Sequence, residues 1–428
     1  MQDPAVWKNR WQALATTLDE MREAYKELSN PTFIAMTTCL KAFGSDQFEF
    51  FLTGFDTNRL LLSPEHPPDS IYRATLDQVS YDITAVQQAV DQRQDGFPTM
   101  QKSLAIADAL AQNALNLGID SHLVKPAAII AYFIKAPNIR VIPYAPVAVI
   151  GVPYTCFTTV QDYLATPHEI GHYIYHHGTS IASDLHNLLP AMPEWGAEWL
   201  EEIFADVYGC LVAGPVIGLD FEDLLSDNDL ESFITSDGHH PVDAVRPYIY
   251  IEVLKKQGFV NAAEALIVRW QEILKARGNP QSFMPDDENG EVPMDLAKDF
   301  VEKTAVVILE YLKNRSVPTN RTWTQDLPNP DTNPDELYGA FASKLAKLTK
   351  TPLNKLHVEP DEDKIFVVLP DGKKRNQRKI GNTQSWVDWA KKQSRAHAKE
   401  SLPASVWTGI FNAGGWPVKG PESTGGGG

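Results

Sequence analysis

Residues 168–172 read His-Glu-Ile-Gly-His, and a second acidic run, Glu202-Ile203-Phe204-Ala205-Asp206, follows downstream. In an α-helix residues four apart share a face, so His168 and His172 can direct two imidazoles at one metal ion. Glu169, one position round, is placed to take a proton from a water that the ion activates, without ligating the ion itself. The third ligand must come from another element, and Glu202 is the first candidate. Glu201 stays open as its neighbour, but only Glu202 has an aspartate one turn on, where Asp206 can accept a hydrogen bond from the outer nitrogen of a ligand histidine. His176 and His177 extend the stripe, but a straight helix drifts round its axis, and a third ligand generally arrives from elsewhere in the chain. The chemistry these residues suit is zinc-assisted hydrolysis of a peptide bond.

A third element, Asp237-Gly238-His239-His240-Pro241, lies further on, with Arg246 after it. Taken together the three stretches resemble the gluzincin metallopeptidases, and within them the peptidases related to the CAAX prenyl proteases, which carry HExxH, then ExxAD, then a His-Pro segment followed by arginine. The resemblance covers residues 168–246 and rests mainly on the first two motifs. It implies a zincin-like core in which His168, His172 and Glu202 bind Zn2+ and Glu169 is the general base. It further implies that His240 steadies the oxyanion, with His239 as its competitor. Asp206 would support a ligand histidine, and Arg246 would act as a structural or substrate-orienting partner. The metzincin pattern is excluded, because Tyr175 and Gly178 stand where it requires glycine and histidine. Many relatives of this kind are embedded in membranes, whereas no stretch here approaches the ~20 apolar residues of a spanning helix; prenylated or membrane-located substrates are therefore not expected.

The elements that position these residues follow from pattern and punctuation. Residues 4 to about 135 are expected mostly as helices, with Trp7, Trp11, Leu14 and Leu18, and later Leu104, Ala107, Ala111 and Leu115, at helical spacing. Around Asn138 the texture becomes β-branched, and 138–144 and 147–152 are expected as short strands confined by Pro143 and Pro146 to a sheet edge. Such an edge could hold an extended peptide, or be no more than a structural hairpin. Helices are expected again over 160–177, 195–213, 242–257, 260–276 and 295–314, with a loop from Pro280 to Pro293. A Pro- and Asn-rich linker spans Asp326 to Pro334, followed by a hairpin at 364–369 turning at Pro370-Asp371-Gly372, a basic stretch Lys373–Lys379, and a helix from Trp386 to His397. The expected divisions are a helical N-terminal region (1–135), a metallopeptidase domain (136–325) and a small α/β C-terminal module (335–428). The fold class is α+β, mainly helical, with a small mixed sheet.

Bulk properties narrow the partners. The 428 residues carry 38 basic and 55 acidic side chains, a net charge of −17, which argues against nucleic acid or an acidic membrane surface as partner. Three scattered cysteines imply neither a disulfide framework nor thiolate metal binding, and the N-terminus lacks a signal-peptide pattern, so a cytoplasmic protein is expected. The expected partner is a protein or peptide substrate. The Lys373–Lys379 stretch is expected as a solvated hairpin face. The closing Gly425–Gly428 run reads as a flexible tail, or as a terminus resembling those of ubiquitin-like proteins, through which the C-terminal region could meet a regulatory or conjugation partner. The alternatives to a constitutive peptidase are a zinc-stabilised, non-catalytic binding or scaffold protein and a latent protease that needs a partner.

Overall fold

The computed structural model describes residues 3–28, 30–57, 67–140, 142–285, 290–319, 322–323, 334–348 and 356–381. The helix expected from Trp386 to His397, the glycine tail and the linker before Pro334 lie outside them. Four long helices lead: α1 (Pro4–Ala24), α2 (Pro31–Asp56), α3 (Pro68–Gln94) and α4 (Pro98–Asp120). Each opens on a proline, whose fixed φ suits the first turn and whose missing N–H is not needed there. Asp3 and Asn30 cap the first two through their side chains, accepting from the backbone N–H groups of Ala5 and Thr32. The apolar stripes expected in this region are internal: Trp7 and Leu18 of α1, and Leu104, Ala107, Ala111 and Leu115 of α4, are buried.

A three-stranded sheet follows, formed by β1 (Ala128–Ile134), β2 (Asn138–Arg140) and β3 (Val147–Pro153) in the order β1-β3-β2. β1 is a strand within 4–135, a region expected to be mostly helical. The run Ala-Ile-Ile-Ala-Tyr-Phe-Ile has no polar side to turn to solvent, and its β-branched and aromatic residues suit a strand covered on both faces. β1 pairs in parallel with β3, Ala128 beside Val147, and β2 pairs antiparallel to β3, Ile139 beside Ile150. β2 is thus an edge, and shorter than the 138–144 expected.

Alternation sorts the sheet into two faces. Ala131, Phe133, Ala148, Ile150 and Val152 join the large apolar cluster with the helices that carry the motifs. Ala128, Ile130, Tyr132, Val147 and Val149 join a second cluster with residues of α2 and α3. On the first side stand α5 (Ala165–His177), α6 (Ile181–Leu188), α7 (Glu194–Glu198) and α8 (Leu200–Ala213). Then come α9 (Pro215–Ser226), α10 (Leu230–Ile234), α11 (Pro247–Gln257) and α12 (Val260–Ala276). Within the expected loop 280–293, β4 (Ser282–Phe283) and β5 (Val292–Pro293) pair antiparallel before α13 (Met294–Asn314).

The C-terminal segment is α14 (Pro334–Leu348) and a hairpin sheet of β6 (His357–Asp361), β7 (Lys364–Val368) and β8 (Lys374–Lys379). The β7–β8 turn falls where expected, with Gly372 at φ 79°. Leu337, Phe341 and Leu345 of α14 belong to the large cluster, and Val358, Ile365 and Val367 pack onto the second face of the central sheet. The architecture is α+β and mainly helical.

α5 and α8 pack at very short range. A Cβ on Gly171 would come within 2.6 Å of the Ala205 Cα, so the bare glycine face and a small alanine let the two backbones touch. Gly171→Ala should therefore destabilise. Alanine gains up to ~1 kcal/mol of helix propensity over glycine, but overpacking against backbone that cannot give way costs about 1–3 kcal/mol. A raised melting temperature in this variant would refute the account.

Glu222 on α9 is fully buried. Its Oε2 accepts from Arg269 Nη1 at 3.0 Å, and Oε1 has no hydrogen-bond partner among the described residues. Burial pushes the carboxyl up to about 8, with Arg269 only partly opposing it. A carboxyl raised in the folded state contributes stability at acidic pH and loses it as pH climbs from the ordinary range, near 4.5, through about 8. Glu222→Gln, neutral throughout, should therefore lose less melting temperature than the parent chain between pH 5 and 8. Parallel pH profiles would overturn this.

Candidate metal centre

α8 is buried on nearly every side, and Glu202 and Asp206 are shut off from bulk water with it. Buried carboxylates need partners, and those of Glu202 and Asp206, one turn apart, find them on α5 and α11. His168 and His172 project from α5 across the Gly171–Ala205 contact. Their Nε2 atoms are 3.1 Å apart. His168 Nε2 lies 3.4 Å from Glu202 Oε2, and His172 Nε2 3.3 Å from Glu202 Oε1. One ligand atom from each of His168, His172 and Glu202 falls within 4.8 Å of the others, and no fourth His, Cys, Asp or Glu joins them among the described residues. Cys39, Cys156 and Cys210 are free, buried and outside the group.

Two imidazole nitrogens and a carboxylate edge aimed at one point leave lone pairs facing one another unless a proton or a cation lies between them. Two histidines and one carboxylate, with one position open, form the donor set of a catalytic zinc site. The residues present fit the ion.

The far sides of both imidazoles meet carboxylates. His168 Nδ1 is 2.9 Å from Asp206 Oδ1, off the line of an ideal hydrogen bond. His172 Nδ1 is 2.8 Å from Glu201 Oε1, and the same oxygen lies 2.6 Å from His176 Nε2. Glu201, open as a ligand on sequence, thus turns away from the donor group, and His176 stands behind it. Arg246 joins the α8 acids: Nε donates to Asp206 Oδ2 at 2.8 Å, and Nη2 to Asp206 Oδ1 and Glu202 Oε2, each at 3.0 Å. Tyr250, one turn along α11, donates its hydroxyl to Asp206 Oδ1 at 2.6 Å.

His240 lies in the loop before α11. Asp237 Oδ2 is 2.6 Å from its Nδ1, and Asp237 Oδ1 accepts from the backbone N–H groups of His239 and His240. This leaves His240 Nε2 facing the site, 3.5 Å from Glu202 Oε1. His239 is exposed. Glu169 is half-buried, and no described side chain hydrogen-bonds its carboxylate.

Without metal, the charges settle on protons. Burial would raise the Glu202 carboxyl, but the cationic forms of His172, His240 and His168 outweigh it and hold the group well below the carboxylate range. Burial would likewise lower His168, yet Asp206 and Glu202 together lift it to about 10. Burial raises Glu169, opposed by His168 and His172.

All seven residues singled out from the sequence, His168, Glu169, His172, Glu202, Asp206, His240 and Arg246, are thus brought to this region. Sequence reasoning gave no role to Asp237 or Tyr250, and weighed Glu201 and His176 only as ligands. Asp237 stands two and three residues before the backbone groups it binds, the spacing of an Asx turn. Tyr250 shares a helical face with Arg246 at i+4. The Glu201–His176 contact joins two helices and has no local signature. No helix among the described residues is long and apolar enough to cross a membrane. No family model matches the chain, and neither a curated protein nor a solved structure does.

Proposed function

We propose that the chain is a zinc-dependent peptidase in which His168, His172 and Glu202 hold the ion and Glu169 is the general base. The observation that carries this reading is the convergence of those three donors beside a carboxylate that no described side chain hydrogen-bonds. A structural zinc site closes with a fourth protein ligand and has no use for a free base. Bound zinc supplies Lewis acidity, which brings the pKa of water towards ~7.

The remaining work falls to the chain itself. Glu169 takes the proton of the attacking water on its carboxylate and returns it to the departing amine nitrogen. His240 donates Nδ1–H to Asp237, and Glu202 and Asp237 favour its cationic form against burial; as that cation it also offers Nε2–H to the oxygen that gains negative charge. Asp206, Arg246 and Tyr250 keep His168 and Glu202 in place. β2, the edge strand beside α5, offers main-chain groups to an extended peptide.

Wild-type and Glu169→Gln proteins, both loaded with zinc, should differ in a cell lysate when new peptide termini are read by mass spectrometry. The variant should keep its metal and lose on the order of 10²–10⁴ in turnover. Equal cleavage by the two would remove Glu169 from its role; no cleavage by either, with zinc bound, would favour a metal-stabilised binding protein.

Zinc affinity itself should fall on acidification. His168 of the metal-free protein holds its proton up to about pH 10, and an ion entering at that imidazole must displace it. Calorimetry in buffers of different ionisation enthalpy should record proton release on binding, and an affinity flat between pH 6 and 8 would contradict the assignment of His168. Glu202→Ala should weaken binding by more than the ~10–100-fold typical of outer partners.

A further inference from the structure

We propose that Glu201 and His176 form a positioning pair that fixes the ring of His172 for metal binding. The inference rests on the zinc reading of His168, His172 and Glu202. An imidazole ligates through Nε2 only when its proton sits on Nδ1, so each ligand histidine needs a fixed acceptor on its far side. For His168 that acceptor is Asp206, fully buried and locked by Arg246 and Tyr250. For His172 it is Glu201 Oε1, at 2.8 Å, on a side chain 33% exposed.

A half-exposed glutamate has three rotatable bonds, and the entropy of holding them in one arrangement nearly cancels a single hydrogen bond. The second bond settles the matter. His176, its side chain only 5% exposed and one turn beyond His172 on α5, places Nε2 2.6 Å from the same oxygen. With that Nε2 protonated, His176 donates to Glu201 from behind while His172 donates from Nδ1. Both donors come from one helix face, so the acceptor is held in line with the ring it orients. The separation of roles between adjacent acids follows: Glu202 faces the ion and Glu201 faces the histidine that binds it.

The test uses the full chain and zinc itself, with affinity measured by competition against a chromogenic chelator at fixed pH. Glu201→Ala should weaken zinc binding about 10–100-fold. His176→Phe should cause a smaller loss, and His176→Gln, which keeps a donor at similar reach, should restore most of it. Because His176 acts only through Glu201, Glu201→Ala combined with His176→Phe should bind no more weakly than Glu201→Ala alone. Nitrogen NMR of the zinc-loaded wild type should find the His172 proton on Nδ1. A merely structural role would lower the melting temperature of the zinc-free protein and leave the affinity of folded protein unchanged. Wild-type affinity in Glu201→Ala, or additive losses in the double variant, would overturn the pair while leaving the metal site standing. A wild type that binds no zinc would remove both.

Discussion

Glu202 and Asp206 lie on a helix enclosed by the protein, and the arrangement around them answers that constraint. An unpaired buried carboxylate costs several kcal/mol, so neither could be placed there alone. Arg246 spans both with its guanidinium, but one positive charge against two negative ones leaves a deficit. A proton on His168 meets it in the metal-free protein, which is why that imidazole is lifted to about 10 despite its burial. A divalent cation between the imidazoles would meet it in the proposed enzyme. The fold therefore holds an interior pair of carboxylates whose charge Arg246 shares with the cationic forms of His168, His172 and His240 in the metal-free protein. In the proposed enzyme a divalent cation would take the place of those protons.

Charge alone does not bring the donors into register; backbone proximity does. Gly171 and Ala205 sit inside the two motifs without carrying any chemistry, and their small size lets α5 and α8 touch. Long side chains at that contact would part the helices and widen the gap between the imidazoles and Glu202. The sheet sets the orientation of this pair, since one of its faces packs with α4, α5 and α8. Its other face is taken by α2, α3 and the C-terminal strands β6 and β7. The described C-terminal strands thus brace the central sheet from the side opposite α5 and α8.

Much of the candidate site was legible because its parts repeat at helical spacing. His168 with His172, and Glu202 with Asp206, each lie four residues apart, and that periodicity survives any tertiary context. Some helix extents were legible through apolar stripes: 260–276 and 295–314 match α12 and α13, whereas α11 starts at Pro247 rather than 242 and α9 was not singled out. β1 was not legible, because a short run apolar on all sides carries no period that separates a buried strand from a buried helix. Its partner β3 lies beyond β2 in sequence, and only pairing reveals the choice. Glu201 was ambiguous for a different reason: adjacent residues on a helix point about 100° apart, and which of two acids faces the ion depends on how α8 is rotated against α5. That rotation is set by apolar packing around the whole helix.

The two halves of the site differ in rigidity, and the difference bears on how a peptide would reach it. His168 is supported by Asp206, Arg246 and Tyr250, all in the interior. His240 and Asp237 are 43% and 52% exposed, in the loop between α10 and α11. A substrate cannot enter through the Asp206 side without dismantling a buried ion-pair network. The approach that leaves the network whole is past His240, the residue proposed to meet the developing oxyanion. Binding would then bury the His240–Asp237 pair and strengthen its hydrogen bond as water leaves. In the proposed enzyme the interior half fixes the metal ligands before substrate arrives, and the solvent-facing half completes its polar contacts only when a peptide covers it.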